Sequence, residues 1–525
     1  MPILGSQGSG AKGAPGVPTV GTATVTNSTT VSLTFTAPSS KLPITSYTVT
    51  SSPSIALTTS GTTSPLTVTG SFALNQAYTF TITATSSAGT SASSSSSNSI
   101  TPSLFTYFMG YAQNFLNGSN SRDIIADSSG NLYLGSTPGT NTNNYNIAKY
   151  NSGRSLEWQY DYNSNYEYLN KITLDSSNNI YIAGQQGSGD SYGANVVKLD
   201  SSGVIQWQKI LGPSGNATLA RGVAVDSSGN VYISGTSGSD ATTYGLIAKY
   251  NSSGTLQWQK RISNSGAAGI VFNDIALDSS GNPHVCGYFA GDFLVMKLDS
   301  SGAIVWQKRL GNGGSTDERS VEIGIDSSNN VYITGKQEYQ DGNSDSGIFT
   351  AKYNSSGTLQ WQRRLNYPSS YYPTNEEGSA IGVDSSGNVY IGGQSNFDGL
   401  TDFILAKYNT SGTIQWQRKI GSGKQESLSG LNVDPSGNVY VAGNTQDFNN
   451  TTQGFFAALP ADGSKTGSYE VGPRTMVYSS INFTSSDPGS SDQTPSLTVS
   501  NESLSDSSTS ISRITGTLSF SITTI

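Results

Sequence analysis

The stretch Asp226-Ser-Ser-Gly-Asn-Val-Tyr-Ile-Ser-Gly235 decides the fold of this chain, because variants of it recur along most of the sequence. An Asp at the first turn position accepts a hydrogen bond from the backbone two residues on, and Gly or Asn at the fourth position accepts a positive φ. The box therefore predicts a tight turn that closes a β-hairpin. Successive boxes start 48 to 58 residues apart, a period typical of propellers and solenoids. The seven copies begin at Asp127, Asp175, Asp226, Asp278, Asp326, Asp384 and Asp434.

A second signature lies between successive boxes and reads Lys249-Tyr-Asn-Ser-Ser-Gly-Thr-Leu-Gln-Trp258 in its most regular copy. Alternating apolar residues on both sides of each turn predict four strands per repeat, and four-stranded units repeated radially make propeller blades. We predict seven blades, with residues 104–109 as the strand that closes the ring. Because one Trp recurs per repeat, we expect these residues to pack between blades. The six tryptophans are Trp158, Trp207, Trp258, Trp306, Trp361 and Trp416.

Residues 17–102 differ from the repeats in composition, because they contain no Asp or Glu and Lys41 is their only charged residue. Alternating segments such as Val31-Ser-Leu-Thr-Phe-Thr36 and Tyr78-Thr-Phe-Thr-Ile-Thr83 predict a β-sandwich. Tyr78 stands where a tyrosine-corner residue would tie a loop to the start of a late strand. These segments resemble a fibronectin type III domain, although the early-strand Trp of that family is absent.

The sequence thus predicts an all-β chain: a fibronectin type III sandwich, a seven-bladed β-propeller and a small C-terminal β appendage. The boundaries are 1–16 for a flexible N-terminal docking arm, 17–102 for the sandwich, 103–475 for the propeller and 476–525 for a Ser/Thr-rich β tail. The repeats resemble SBBP-type β-propeller repeats of bacteria and phages. The whole arrangement resembles structural proteins of tailed phages, of the kind found in marine phages and cyanophages.

Composition excludes several classes of protein. A net charge of −8 and a pI near 4.8 leave no basic domain to bind a nucleic-acid backbone. One cysteine, Cys286, excludes a disulfide framework within the chain. The sequence contains no run of eighteen apolar residues, so it predicts no membrane-spanning helix. The first sixteen residues do not resemble a Sec signal peptide.

Catalytic and metal-binding chemistry is sparse in the sequence. His284 and Cys286 lie on one face of a strand and are expected in the core rather than as a nucleophilic pair. The Asp boxes lack the further carboxylates of a calcium loop. The acidic pairs Asp317-Glu318 and Glu376-Glu377 are expected to be solvated loop charges, because adjacent residues do not face each other. We predict no catalytic residue, no metal and no cofactor.

Basic residues form two rows, one on the third strand and one on the outer strand of each repeat. We expect the outer row to protect exposed sheet edges from pairing with other chains. On the opposite side, the connections between repeats vary and carry Tyr, Asn and Ser, which suit a recognition surface. The candidate sugar-binding residues are Tyr162, Tyr166, Tyr168, Tyr339, Tyr367, Tyr371 and Tyr372. Pro2, Ile3 and Leu4 are the candidate docking residues of the arm.

The function expected from these features is that of a non-enzymatic virion appendage, either a tail fibre or a head decoration. It would be assembled in the host cytoplasm, dock on capsid, portal or tail proteins through the arm, and bind host surface glycans weakly and multivalently. Neither nucleic acid nor membrane is expected as a partner, and a homo-oligomer is left open. The alternatives are a bacterial surface or secreted adhesin and a propeller lyase or glycosidase.

Overall fold

A computed structural model shows an all-β chain that divides into two compact units, Met1–Phe105 and Thr106–Ile525. No helix within the described ranges is long and apolar enough to cross a membrane. The residues described are 13–27, 30–73, 76–100, 108–113, 120–137, 144–153, 155–163, 167–187, 192–212, 217–239, 242–263, 269–311, 318–338, 346–366, 375–397, 399–434, 437–446, 452–471, 474–481, 483–486, 491–493, 498–501, 506–507, 512–515 and 519–524.

The first unit is built from two antiparallel sheets. One has the order β1 (Thr19–Asn27), β2 (Thr30–Thr36), β5 (Leu66–Gly70), β4 (Leu57–Ser60), and the other has the order β3 (Ile44–Ser52), β6 (Thr79–Ser86), β7 (Gly89–Thr90). Alternate apolar residues of both sheets share one buried core. Tyr78 lies in this core, and its hydroxyl accepts a hydrogen bond from the backbone N–H of Ala73 (2.9 Å), which ties that loop to the start of β6.

The described residues of the second unit form seven antiparallel sheets, and six of these contain four strands that follow one another in sequence. Sheet 1 contains β9 (Asn120–Ala126), β10 (Leu132–Thr137), β11 (Asn144–Tyr150) and β12 (Leu156–Asn163). Sheet 2 contains β13 (Glu167–Leu174), β14 (Ile180–Gln186), β15 (Gly193–Leu199) and β16 (Ile205–Leu211). Sheet 3 contains β17 (Ala217–Val225), β18 (Val231–Ser239), β19 (Thr242–Tyr250) and β20 (Leu256–Ser263).

Sheets 4 to 6 repeat this order, and sheet 7 takes its fourth strand, β8 (Phe108–Gln113), from before the first repeat. Sheet 4 contains β21 (Ile270–Leu277), β22 (Pro283–Phe289), β23 (Asp292–Leu298) and β24 (Ile304–Gly311). Sheet 5 contains β25 (Arg319–Ile325), β26 (Val331–Glu338), β27 (Ser346–Tyr353) and β28 (Leu359–Asn366). Sheet 6 contains β29 (Glu376–Val383), β30 (Val389–Ser395), β31 (Asp402–Tyr408) and β32 (Ile414–Gly421). Sheet 7 contains β33 (Glu426–Val433), β34 (Val439–Gln446), β35 (Thr452–Leu459) and β8.

The seven sheets form a closed ring. The first strand of each sheet packs beside the first strand of the next, and β33 of sheet 7 packs beside β9 of sheet 1. Apolar cores lie between neighbouring sheets, as between sheets 6 and 7, where Phe403 and Phe455 are fully buried. The pairing of β8 with β35 joins the two ends of the repeat region, with Tyr111 opposite Phe455. The segment predicted to close the ring, residues 104–109, overlaps this strand at Phe108 and Met109, and its other residues lie outside the described part of the chain.

The tail strands run around the outside of the ring and add at least one strand to every sheet. They visit the sheets in reverse order, from sheet 6 to sheet 1 and then to sheet 7. The described strands of residues 476–525 therefore pack on the sheets of the ring, a point that the sequence leaves open. The tail strands are β36 (Gly467–Val471) and β37 (Arg474–Ser480) on sheet 6, β38 (Thr484–Ser486) on sheet 5, β39 (Ser491–Gln493) on sheet 4, β40 (Thr498–Asn501) on sheet 3, β41 (Asp506–Ser507) on sheet 2, β42 (Ser512–Thr515) on sheet 1 and β43 (Ser519–Thr524) on sheet 7.

The Asp boxes form the turns between the first and second strands, as predicted. Oδ1 of Asp226 accepts hydrogen bonds from the backbone N–H of Ser228 and Asn230 (both 2.9 Å), and Oδ2 accepts one from the Asn230 amide (2.8 Å). Gly229 has a φ of 77°, which explains the Gly at the fourth position. These turns and those between the third and fourth strands share one side of the ring, called here the turn face. The opposite side is called the loop face.

Each Trp joins its own sheet to the next, as the sequence predicts. Nε1 of Trp361 in sheet 5 donates to the carbonyl of Thr410 in sheet 6 (3.1 Å). The indole ring lies against Gly412, where an added Cβ would come within 2.8 Å of it. Trp207, Trp258, Trp306 and Trp416 make the same hydrogen bond to the following sheet.

The outer basic row does not protect exposed edges, which corrects the expectation from the sequence. The fourth strands of the sheets pair with tail strands, so they are not sheet edges. Basic side chains of this row bond groups on the ring instead. Arg363 and Arg418 donate to the carbonyls of Gly412 and Gly463 (2.8 and 2.6 Å).

Candidate functional site

A polar pocket of about 230 Å³ opens on the loop face between sheets 6 and 7. The ends of β30 and β34 and the starts of β33 and β35 contribute its lining. Every lining side chain carries an amide, a hydroxyl or a carboxyl group, so hydrogen-bond donors and acceptors surround the space. The lining residues are Gln394, Thr401, Gln425, Glu426, Ser427, Asn444, Thr445, Gln446 and Thr452.

Several pocket residues are held in place by hydrogen bonds. The backbone N–H of Gln446 donates to the Gln425 carbonyl (3.1 Å), which ties β34 to the start of β33. The Gln425 side-chain oxygen accepts from the backbone N–H of Thr401 in sheet 6 (3.3 Å). Asn444 Oδ1 accepts from the backbone N–H of Ser121 (2.8 Å). The pocket is therefore preformed, because three sheets fix its wall.

Among the described residues that line the pocket, Glu426 alone is acidic, and it is 1% exposed. Its Oε1 accepts hydrogen bonds from the hydroxyls of Thr445 (2.8 Å) and Ser422. Burial is the main cause that raises the pKa of Glu426 to about 7. The two hydrogen bonds act in the opposite direction and lower the pKa, and the nearby carboxylate of Asp402 raises it further. The group therefore holds its proton in mildly acidic solution and can act as a hydrogen-bond donor.

The ring axis is closed by charged residues of the first strands. Lys171 of sheet 2 reaches across the axis to form an ion pair with Glu322 of sheet 5, and its Nζ lies 3.9 Å from Asp123 Oδ1. Asp123 and Asp274 also accept backbone N–H groups of the following sheets, those of Ile172 (2.9 Å) and Ile323 (3.2 Å). These residues line a cavity of about 220 Å³. Because each carboxylate is tied to a neighbouring sheet, we interpret this cluster as scaffold.

The structure places two of the predicted sugar-binding tyrosines. Tyr162 is fully buried, stacks on Tyr145 and donates to the Gly203 carbonyl (2.8 Å), so its ring cannot meet a sugar. Tyr168, at the start of β13 on the loop face, is 42% exposed. The other five candidates, Tyr166, Tyr339, Tyr367, Tyr371 and Tyr372, lie outside the described residues, as do Pro2, Ile3 and Leu4 of the arm.

Two of the acidic residues expected in solvated loops prove to be buried, whereas Glu377 is partly exposed and Asp317 lies outside the described residues. Glu318 and Glu376 are both 0% exposed, because they stand at the start of the inner strands of sheets 5 and 6. Glu426 occupies the same place in sheet 7. The three glutamates share a signal in the sequence, since each lies eight residues before an Asp box.

His284 and Cys286 are core residues, as expected. His284 takes the place of the box Tyr and packs on Trp306, with ring centroids 5.7 Å apart. Burial and the nearby Lys297 lower the pKa of His284 to about 4, so the ring is neutral. Burial raises the pKa of the Cys286 thiol, which makes it a poor nucleophile. Among the described residues, no group of three or more His, Cys, Asp or Glu side chains is placed to hold a metal ion.

Comparison with known proteins concerns the repeats and the overall shape. No curated protein sequence matches the chain significantly. Similar solved structures include an ulvan lyase bound to -[GlcA(1-4)Rha3S]- (11% identity, 70% of this chain and 96% of that chain, TM-score 0.42). Others are a quinonprotein alcohol dehydrogenase-like protein from Bacteroides thetaiotaomicron (12%, 78% and 94%, 0.36) and a rhamnogalacturonan lyase from Bacillus licheniformis (12%, 85% and 90%, 0.32).

The β-propeller repeat called SBBP matches residues 206–240 and 360–401. Each match covers the fourth strand of one sheet and the first two strands of the next, β16 to β18 and β28 to β30. The chain therefore carries SBBP β-propeller repeats and has a β-propeller fold.

Proposed function

We propose that this chain is a non-enzymatic carbohydrate-binding protein and that the pocket between sheets 6 and 7 holds one sugar unit of a longer glycan. The observation that carries the proposal is the lining of the pocket, which consists of amide, hydroxyl and carboxyl groups. Sugars present closely spaced hydroxyls that both donate and accept hydrogen bonds, and such a lining matches them. The volume of about 230 Å³ is below the range of about 300–1,000 Å³ usual for drug-sized ligands, which favours a single ring.

Exposed tyrosines would extend the pocket into a recognition surface. Tyr168 presents its ring on the loop face, where it can stack on a further sugar by its apolar side. Tyr339, Tyr367, Tyr371 and Tyr372 are proposed to do the same, because the sequence puts them in connections that belong to this face. Individual contacts of this kind are weak, so many copies acting together would supply the affinity.

We also propose a detailed architecture for the two units. We interpret the seven sheets as the blades of a seven-bladed propeller, since their first strands surround one axis. The first unit is proposed to be a fibronectin type III domain, which the two-sheet core and the Tyr78 hydroxyl contact support. We propose the domain ranges 17–102 and 103–475, and the division between Phe105 and Thr106 supports the first of these boundaries.

The proposed setting is a phage virion, where the arm of residues 1–16 docks on capsid, portal or tail proteins. Support comes from the combination of modules in the sequence and from the apolar residues Pro2, Ile3 and Leu4, which could enter a groove. Mass spectrometry of purified virions would test the location. Removing residues 2–16 should abolish incorporation into particles and leave the fold intact. If the shortened protein is still incorporated, the arm is not the docking element.

Glycan binding is tested with the full chain on a panel of immobilised polysaccharides. The double variant Gln394→Ala/Gln446→Ala removes two lining amides, and losing about two hydrogen bonds of about 1 kcal/mol each predicts at least tenfold weaker binding. Gln415→Ala is the matched control, because Gln415 is an exposed glutamine of sheet 6 on the turn face. Equal binding by both variants would place the sugar site elsewhere.

A second candidate is a glycosidase or lyase, and the protonated Glu426 beside Asp402 is the observation that favours it. A buried carboxylic acid next to a carboxylate resembles an acid–base arrangement. We favour binding alone, because the Oε1 atom of Glu426 is held by two hydroxyls and Asp402 is held by Lys419 (2.5 Å). Release of reducing or unsaturated ends from a bound polysaccharide, lost in Glu426→Gln, would establish the enzyme instead.

A further inference from the structure

Two pairs of buried carboxyl groups join neighbouring sheets at the loop face in the same way. Asp292 of sheet 4 lies beside Glu318 of sheet 5, and Asp402 of sheet 6 lies near Glu426 of sheet 7. In each pair the Asp is the first residue of a third strand. Glu426 is the first residue of the first strand of the following sheet, and Glu318 immediately precedes such a strand. All four side chains are at most 2% exposed. Such a repeated arrangement at two sheet boundaries indicates a common role.

Backbone contacts align each pair. The N–H of Glu318 donates to the carbonyl of Gly291, the residue before Asp292 (2.9 Å), and the N–H of Glu426 donates to Thr401, the residue before Asp402 (2.7 Å). One basic residue of the outer strand neutralises each Asp: Arg309 Nε and Lys419 Nζ lie 2.5 Å from Oδ2 of their Asp. Each pair therefore contains one carboxyl group, that of the Asp, whose charge is balanced by this basic residue, and a second carboxyl group, that of the Glu.

Two carboxyl oxygens of the first pair lie close together. Within the described part of the chain, Oδ1 of Asp292 and Oε2 of Glu318 have no hydrogen-bond partner among ordinary donors. A Cβ added at Gly311 would collide with both oxygens, so these lie within about 5 Å of each other. A Cβ at Gly421 would collide in the same way with Oδ1 of Asp402 in the second pair. Glycine at the end of β24 and β32 is what allows the carboxyl groups into this space.

Two facing carboxylates cannot both be ionised in such a buried position without strong repulsion. We propose that each pair holds a single proton between its two carboxyl groups, and that this proton locks the inner strand of one sheet to the third strand of the preceding sheet. The Glu carries the proton and donates it in a hydrogen bond to the Asp, whose charge the basic residue balances. Loss of the proton places a second negative charge beside the first between the sheets and loosens the loop face.

The electrostatic surroundings agree with this assignment. Burial raises the pKa of Glu318 to about 7, with a further rise from Asp292 and opposing effects of Gln337, Arg364 and Arg309. Burial likewise raises the pKa of Glu426 to about 7. Facing Glu318 are Asp292 (β23), Arg309 (β24), Gln337 (β26) and Arg364 (β28); facing Glu426 are Asp402 (β31), Lys419 (β32), Ser422 and Thr445 (β34).

The direction of the pH effect follows from these values. The folded state holds each Glu proton more tightly than the unfolded chain, whose Glu titrates near 4.5. Stability contributed by the pairs is therefore full below about pH 4.5, falls as the pH rises towards about 7, and stays low above it. The lock is closed in mildly acidic solution and open in alkaline solution.

The test compares urea unfolding of the full chain at pH 5 and pH 8. The double variant Glu318→Gln/Glu426→Gln keeps the shape and a donor but cannot titrate. Between these pH values the unfolding constant of the wild-type protein should rise at least tenfold per pair relative to that of the double variant. Glu377→Gln, a partly exposed neighbour of the equivalent Glu376, should follow the wild type. Parallel curves for the wild type and the double variant would overturn the proposal.

A second measurement uses only the wild-type protein, so it does not depend on whether a variant folds. Infrared spectra of the wild-type protein should contain the C=O band of protonated carboxyl groups at pH 6, and this band should disappear on titration to pH 8.5. Absence of the band at pH 6 would show that the pairs hold no proton. Neither measurement depends on glycan binding, so a failure here leaves the proposed sugar pocket to its own test.

Discussion

Replacing Trp361 by Ala should destabilise the ring and leave glycan binding unaffected. The side chain is 9% exposed, lies between Tyr332 of its own sheet and Tyr408 of the next, and donates to Thr410. Truncating a buried Trp lowers the free energy of unfolding by about 3–5 kcal/mol. This figure includes the loss of the hydrogen bond and of the ring contacts. With an unfolding entropy of about 2.1 cal/mol/K per residue, a unit that spans Thr106–Ile525 loses about 1 °C of melting temperature per kcal/mol. We therefore expect a decrease of about 3–5 °C.

Calorimetry measures this shift, and hydrogen exchange locates it. Exchange should accelerate in the turn that contains Thr410 and in β31 and β32, because these elements lose the clamp from sheet 5. Trp361→Phe should lose less, since the ring remains against Gly412 while the hydrogen bond is gone. Tyr168→Ala, at an exposed aromatic residue, should melt like the wild type. An unchanged melting curve for Trp361→Ala together with lost polysaccharide binding would show that the tryptophans form a site and not a clamp.

Three further outcomes are expected. Removing residues 472–525 uncovers the fourth strands of sheets 1 to 7, and light scattering should then detect self-association through these edges. Lys171→Met leaves the axial carboxylates without their cation, so urea unfolding at pH 7 should show a loss of about 3–5 kcal/mol that shrinks at pH 5 as the carboxylates take up protons. Asp226→Ala removes the acceptor of three turn hydrogen bonds and should cost about 1–3 kcal/mol, whereas Asp226→Asn should cost less in the same unfolding assay.

Local patterns made part of this structure predictable. The Asp226 turn depends on residues within five positions of one another, and the position of Trp361 follows from its recurrence once per repeat. Tyr162 could also have been assigned correctly. It shares one strand face with Trp158 and Tyr160 at a period of two, which indicates a buried position and not a loop.

Local sequence patterns could not predict contacts between segments that are distant in the sequence. Asp292 and Glu318 meet because two sheets pack together, and neither residue has a neighbour in sequence that reveals the other. Sequence reasoning therefore put Glu318 in solvent. The pairing of the tail strands with the ring could not be predicted for a similar reason. Their Ser- and Thr-rich residues join the ring by backbone hydrogen bonds, which any side chain permits.

The tail has a consequence for how the protein reaches its folded state. Strand β8 pairs on one side with β35 and on the other with β43, where Phe108 lies opposite Thr524. Sheet 7 is therefore complete only after residues 519–524 have been synthesised, and until then the ring has unpaired strand edges. Contacts between such distant residues slow folding, and those formed after the rate-limiting step mainly slow unfolding. A ring assembled in this way should form late and, once formed, come apart slowly.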